Sequence, residues 1–197
     1  MEVARRPPLL AVGTIVWLAS ELMFFSGLFA AYFTLRATAR GPWPPEGVEL
    51  EATVAGVFTL ILLASSGTIQ LAVRAITAGD RRRFCRWLLV TMALAIVFLV
   101  NQGREWSAAE FAIDSHSFGS AFFVMTGFHG LHVAGGVAAM AVLLGRAATP
   151  GPERPSERSG RSKFGADDAP AVEVVSFYWH FVDVVWVGLY ATLFLLR

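Results

Sequence analysis

Cysteine is almost missing from this chain. Cys85 is the single one in 197 residues, so no intrachain disulfide can form and no cysteine-based zinc motif exists. Charge is scarce too: Lys, Arg, Asp and Glu make up 16% of the residues, against about 25% in an ordinary soluble domain. The formal net charge is +1, which leaves no global basic field for nucleic acid. There is no H-E-x-x-H motif, no run of histidines and no internal repeat. These absences exclude a disulfide-stapled secreted domain, a nucleic-acid binder and a zincin-type protease. They also make a soluble core the wrong thing to look for.

What the chain does have is apolar length. Hydrophobic residues reach 55% and the mean hydropathy is +0.57. A helix needs ~20 apolar residues to cross a bilayer. Five runs qualify: Leu9–Leu35, Ala52–Val73, Trp87–Gly103, Phe118–Gly145 and Ala171–Leu196. The fold class expected is therefore all-α, a five-helix transmembrane bundle forming one membrane domain over residues 1–197. Arg5 and Arg6 ahead of apolar residues resemble a signal peptide. The run continues to Leu35 without an A-x-A site, so it reads as a first span.

Basic residues set the direction, since cytoplasmic segments retain Lys and Arg. With the N-terminus inside, the inner segments hold Arg5 and Arg6; Arg74, Arg81–Arg83 and Arg86; and Arg146, Arg154, Arg158, Arg161 and Lys163. Those are 12 of the chain's 16 basic residues. The N-terminus is accordingly expected in the cytoplasm and the C-terminus outside. The outer segments carry Glu46, Glu49, Glu51, Glu110 and Asp114. One outer connection, Gly41–Glu46 (GPWPPE), is stiffened by prolines. The inner stretch 147–170, rich in Pro, Gly, Ser and Arg, reads as a flexible cytoplasmic loop.

A few polar residues interrupt the spans, where ionisable groups are costly and need partners. They are Glu21, His129, His132, His180 and Asp183, with Glu105 near the outer end of the third span. At ~1.5 Å per residue, Glu21 lies ~18 Å into its span, His129 and His132 ~17 and ~21 Å into theirs, and His180 and Asp183 ~14 and ~18 Å. In a core ~30 Å thick all five fall in a central slab. Spans one, four and five are thus expected to meet along their polar faces. The three-residue spacings put His129 with His132, and His180 with Asp183, on shared faces. Gly127 and Gly130 would let a neighbouring helix approach the first pair. Two histidines and a carboxylate could form an iron site with Glu21 as a further ligand; mutual hydrogen bonding satisfies the same groups with no metal. Glu105 has Arg104 as an adjacent partner. Trp17, Trp87, Trp106, Trp179 and Trp186 read as packing or interface anchors.

Four motifs give the pattern a family. SELMFFSGLFAAYF, Q-G-R-E-W, FGSAFFVMTGFHGLHV and FYWHFVDVVW occur in that order and span nearly the whole chain. Together they resemble the cytochrome c oxidase subunit III family of haem-copper oxidases. Full-length members have seven helices, and this chain resembles a short bacterial form that lacks the first two. The resemblance implies a non-catalytic subunit in the bacterial plasma membrane, within a proton-pumping complex that reduces oxygen to water. It implies no metal in this chain, haem and copper in partner subunits, and bound phospholipid. The implied partners are the catalytic subunit I, the rest of the oxidase and a larger respiratory supercomplex, with no nucleic acid. The implied roles are stability, lipid binding and support of proton uptake. Glu21 matches the family's carbodiimide-reactive glutamate. Glu105, His129, His132, His180, Asp183 and Trp186 fall on motif positions as structural, lipid or proton-site candidates, with no catalytic residue.

Other readings are a subunit III-like partner of a quinol oxidase or nitric oxide reductase, a metal-dependent membrane oxidoreductase, and a small proton transporter. The last sits poorly with five spans and no inverted repeat.

Overall fold

A computed structural model of the protein describes residues 9–149 and 164–196. Five long helices make up that chain: α1 (Leu9–Thr38), α2 (Ala52–Thr77), α3 (Arg81–Ala108), α4 (Ser117–Ala148) and α5 (Ala169–Tyr190). A 3-10 turn over Ala166–Asp168 leads into α5, and a π-helical turn over Ala191–Leu195 follows it. No strand occurs among the described residues. All five helices are long and apolar enough to cross a membrane, as the hydropathy pattern predicts.

The helices overrun the expected spans where capping extends them. α3 starts at Arg81 rather than Trp87 because Asp80 accepts a hydrogen bond from the Arg83 N–H at 3.0 Å, a side-chain N-cap. The preceding turn is three residues long. Gly79 takes φ +74°, the Gly79 N–H donates to Ile76 O at 2.9 Å and the Asp80 N–H to Ala75 O at 2.9 Å. This is a Schellman closure, which needs a residue free to adopt positive φ. α4 is capped by the ring of His116, whose Nδ1 accepts from the Gly119 N–H at 2.8 Å.

The irregular part of the α4–α5 connection is shorter than the flexible loop expected over 147–170. Residues 147–148 continue α4 and 169–170 open α5. Between them, Phe164 is buried against Phe84 with ring centroids 5.4 Å apart, and Arg146 pairs with Asp168 at 3.0 Å. The remainder of that loop, 150–163, lies outside the described residues, as do Arg5 and Arg6.

α2 and α3 form an antiparallel hairpin, with α4 against α3 and α5 between α4 and α2. α1 lies on the α4–α5 side. Small residues set the closest approach. A Cβ on Gly136 would stand 2.6 Å from Cε3 of Trp179, and one on Gly188 would stand 3.1 Å from Cζ of Phe29. Lipid tails give no hydrophobic drive between helices, so such close packing supplies much of the cohesion. Gly127 and Gly130, expected to provide the notch, are looser. Their nearest neighbours are the Trp106 ring at 3.4 Å and a Leu99 methyl at 4.0 Å.

Candidate functional site

The polar residues at mid-depth divide between two seams rather than meeting in one. At the α1–α4 seam, Glu21 Oε2 lies 3.0 Å from His132 Nε2. Trp17 Nε1 donates to Glu21 Oε1 at 3.1 Å from one turn earlier on α1. The other ring nitrogen, His132 Nδ1, lies 2.7 Å from the carbonyl of Phe128. A carbonyl only accepts, so Nδ1 carries a hydrogen. The Glu21–His132 contact then holds one proton, on either the carboxyl or Nε2. With it on the carboxyl both groups are neutral; with it on Nε2 they form an ion pair. Tyr178 closes one side, donating its hydroxyl to His132 O at 2.8 Å and stacking on Trp17 with centroids 5.0 Å apart. The pair keeps side-chain exposures of 23% for Glu21 and 16% for His132, so it stays partly open at the helix surface.

At the α2–α5 seam, His180 and Asp183 share a partner, Ser66. The Ser66 hydroxyl donates to Asp183 Oδ2 in a short contact and lies 2.7 Å from His180 Nδ1. Having given its only hydrogen to the carboxylate, Ser66 accepts from Nδ1–H. Nε2 is then the acceptor for the Gln70 side-chain amide at 3.1 Å. Hydrogen bonds therefore run one way, from Gln70 through His180 and Ser66 to Asp183. Two indoles of α5 tie the same helices together. Trp179 Nε1 donates to Ser65 Oγ and Trp186 Nε1 to Thr59 Oγ1, each at 2.9 Å. Tyr190 adds a hydroxyl bond to Ala52 O at 3.1 Å. Asp183 Oδ1 is buried with no partner.

The structure thus corrects the expected convergence of spans one, four and five. His180 and Asp183 engage α2, whose span over Ala52–Val73 carries no ionisable residue. The signal was present in TLILLASSGTIQ, where Thr59, Ser66 and Gln70 recur at helical spacing. His129 and His132 also part company. Three residues advance a helix by ~300°, leaving a ~60° offset. His132 turns to α1, while His129 is fully buried between Trp186, 4.8 Å away, and Phe98, 5.9 Å away. Both His129 ring nitrogens lack a hydrogen-bond partner.

Glu105 is half-buried near the end of α3 and forms no ion pair with Arg104 among the described residues. It lines a pocket with Glu51 instead. Trp106 Nε1 donates to Thr126 Oγ1 at 3.1 Å, joining α3 to α4. No group of three or more metal-ligating side chains converges among the described residues. The arrangement can share protons at one seam and lock helices at the other.

Residues 7–196 match the family model described as cytochrome c oxidase subunit III. A probable cytochrome c oxidase subunit 3 of Nocardia farcinica is 46% identical over 195 residues, covering 98% of this chain and 90% of that protein. The Mycobacterium tuberculosis protein of the same description is 45% identical with the same coverage. A cytochrome c oxidase subunit 3 of Thermostichus vulcanus is 37% identical over 190 residues, 96% of this chain and 89% of that protein.

Proposed function

From the premise that this chain belongs to the cytochrome c oxidase subunit III family, we propose how it serves its complex. It is a multi-pass membrane subunit of a haem-copper oxidase. Our reading is that it docks on the catalytic subunit I, which holds haem and copper, and keeps that subunit active over many turnovers. It supports proton uptake and phospholipid binding without taking part in oxygen chemistry. It carries its N-terminus in the cytoplasm.

The observation that carries this reading is the Glu21–His132 contact. A hydrogen bond holding one proton, 3.0 Å long and partly open at mid-depth, can pass a proton between its ends with no net charge created in the membrane. No cluster of metal ligands adjoins it among the described residues. The α2–α5 network, by contrast, supports a scaffold role for His180, Asp183 and Trp186.

The test uses the intact oxidase complex carrying Glu21→Gln. Oxygen consumption is expected to start at the wild-type rate and to decay after fewer turnovers, with carbodiimide labelling of this subunit lost. Immediate loss of oxygen reduction in a fully assembled variant complex would overturn the supporting role.

A further inference from the structure

A slot lies between α3 and α4, away from both seams. Its volume is about 510 Å³. Glycines shape it: Gly103 on α3, and Gly127 and Gly130 on α4. A Cβ on Gly103 would meet nothing within 4 Å, and one on Gly130 only a Leu99 methyl at 4.0 Å. The missing side chains leave a gap that neither helix fills.

Gln102 gives the slot one polar group. It lines the gap and is only 4% exposed, yet its Nε2 has no hydrogen-bond partner among the described residues. A buried amide nitrogen left unpaired is costly, and the bilayer core holds no water to replace the partner. Gly127, which shares the slot with Gln102, lies ~15 Å along α4 from Ser117. That depth is inside the hydrocarbon core, below phospholipid headgroups and their ester carbonyls. An acyl tail reaches the slot but carries no acceptor for the amide.

The lining narrows the ligand further. No ionisable side chain lines the slot among the described residues, so it suits a neutral molecule. Trp106, Phe123 and Phe128 supply aromatic surface. The Trp106 ring is fixed by its bond to Thr126 and lies 5.7 Å from Phe123 between centroids. Flat rings pack well against such faces and edges. Width sets the last limit. A transmembrane helix is ~10–12 Å across with its side chains, too thick to carry an acceptor down to so buried a nitrogen. A flat ring entering edge-on, carbonyl first, is thin enough.

We propose that this slot binds an isoprenoid quinone. The ring sits between the glycines with one carbonyl accepting from Gln102 Nε2. The tail leaves past Phe128 and Leu131, which are 40% and 67% exposed. The step is binding alone, and this chain neither oxidises nor reduces the ring. The proposal rests on the membrane-subunit reading but not on the Glu21–His132 contact, since its readout is occupancy of the slot rather than turnover lifetime.

The experiment is photolabelling of the intact oxidase complex with a diazirine-bearing decylnaphthoquinone, followed by peptide mapping. Label is expected on α3 and α4 of this subunit, around Trp106 and Phe128, and unlabelled decylnaphthoquinone should displace it. Decylnaphthalene has the same shape without the carbonyls. It should displace the label about tenfold less well, the worth of one buried hydrogen bond. In the Gln102→Leu complex the two competitors should become equal. Gly130→Leu fills the slot and should remove the label there while label elsewhere on the complex persists. Equal displacement by the two competitors in the wild-type complex would overturn the proposal, as would the absence of label from α3 and α4. So would displacement by dioleoylphosphatidylcholine as effective as that by the quinone, which would assign the slot to acyl chains.

Discussion

The α1–α4 and α2–α5 seams use the same chemistry, a histidine and a carboxylate at mid-membrane, and differ in how many helices' worth of bonds hold them. Glu21 and His132 join their helices through one contact, and both keep an open edge. His180 and Asp183 belong to a woven seam: Ser66 binds both of them, Gln70 orders the imidazole, and Trp179, Trp186 and Tyr190 add three further bonds to α2. A single shared proton between partly open groups can move. A directed chain ending on a carboxylate that is 3% exposed fixes geometry instead. Residue type therefore does not separate an exchangeable site from a fastener; the number and direction of the bonds around it do.

The sharpest way to break that contrast is Asp183→Ala. It leaves Ser66 without its acceptor, and the His180 bond through Ser66 loses its direction. The expected cost is about 2–3 kcal/mol, read as reduced retention of this subunit on the complex during detergent challenge. Wild-type retention would show that the woven seam is not a fastener. Trp186→Phe removes the bond to Thr59 and trims a buried indole to a phenyl ring. About 1–2 kcal/mol is expected in the same assay, one interhelical hydrogen bond plus the lost packing. Glu21→Gln keeps the shape of the open seam and should change stability by less than about 0.5 kcal/mol. Dissociation as severe as that of Asp183→Ala would place Glu21 among the fasteners. His129→Leu is the smallest case. Replacing a buried imidazole that has no hydrogen-bond partner with an apolar side chain is expected to leave stability level or slightly raised, measured by thermal unfolding of the complex.

Much of this was legible beforehand, and the part that was not has a geometric cause. The five helices, their order and the family motifs follow from apolar length and residue pattern. Depth counting correctly placed Glu21 and His132 at one level, and they do meet. Depth carries no azimuth, however, and a ~60° offset sends His129 and His132 to different neighbours. Ser66 and Gln70 escaped notice because neutral polar residues barely dent a hydropathy average, although they complete the site of His180 and Asp183. Arg104, adjacent to Glu105 in sequence, was the natural partner on paper. Adjacent residues on a helix point ~100° apart, and Glu105 shares its pocket with Glu51 from another segment.

The turn at Ala78–Asp80 has a consequence for how the protein is made. Three residues closed by a Schellman motif leave no slack between α2 and α3. α2 and α3 are therefore expected to settle in the bilayer as one antiparallel hairpin. Arg74, Arg81, Arg82, Arg83 and Arg86 crowd its closed end, and in the proposed orientation a positive-inside rule holds that end in the cytoplasm. In that orientation the bend is a stop as well as a connection, because one basic end sets the direction of two spans.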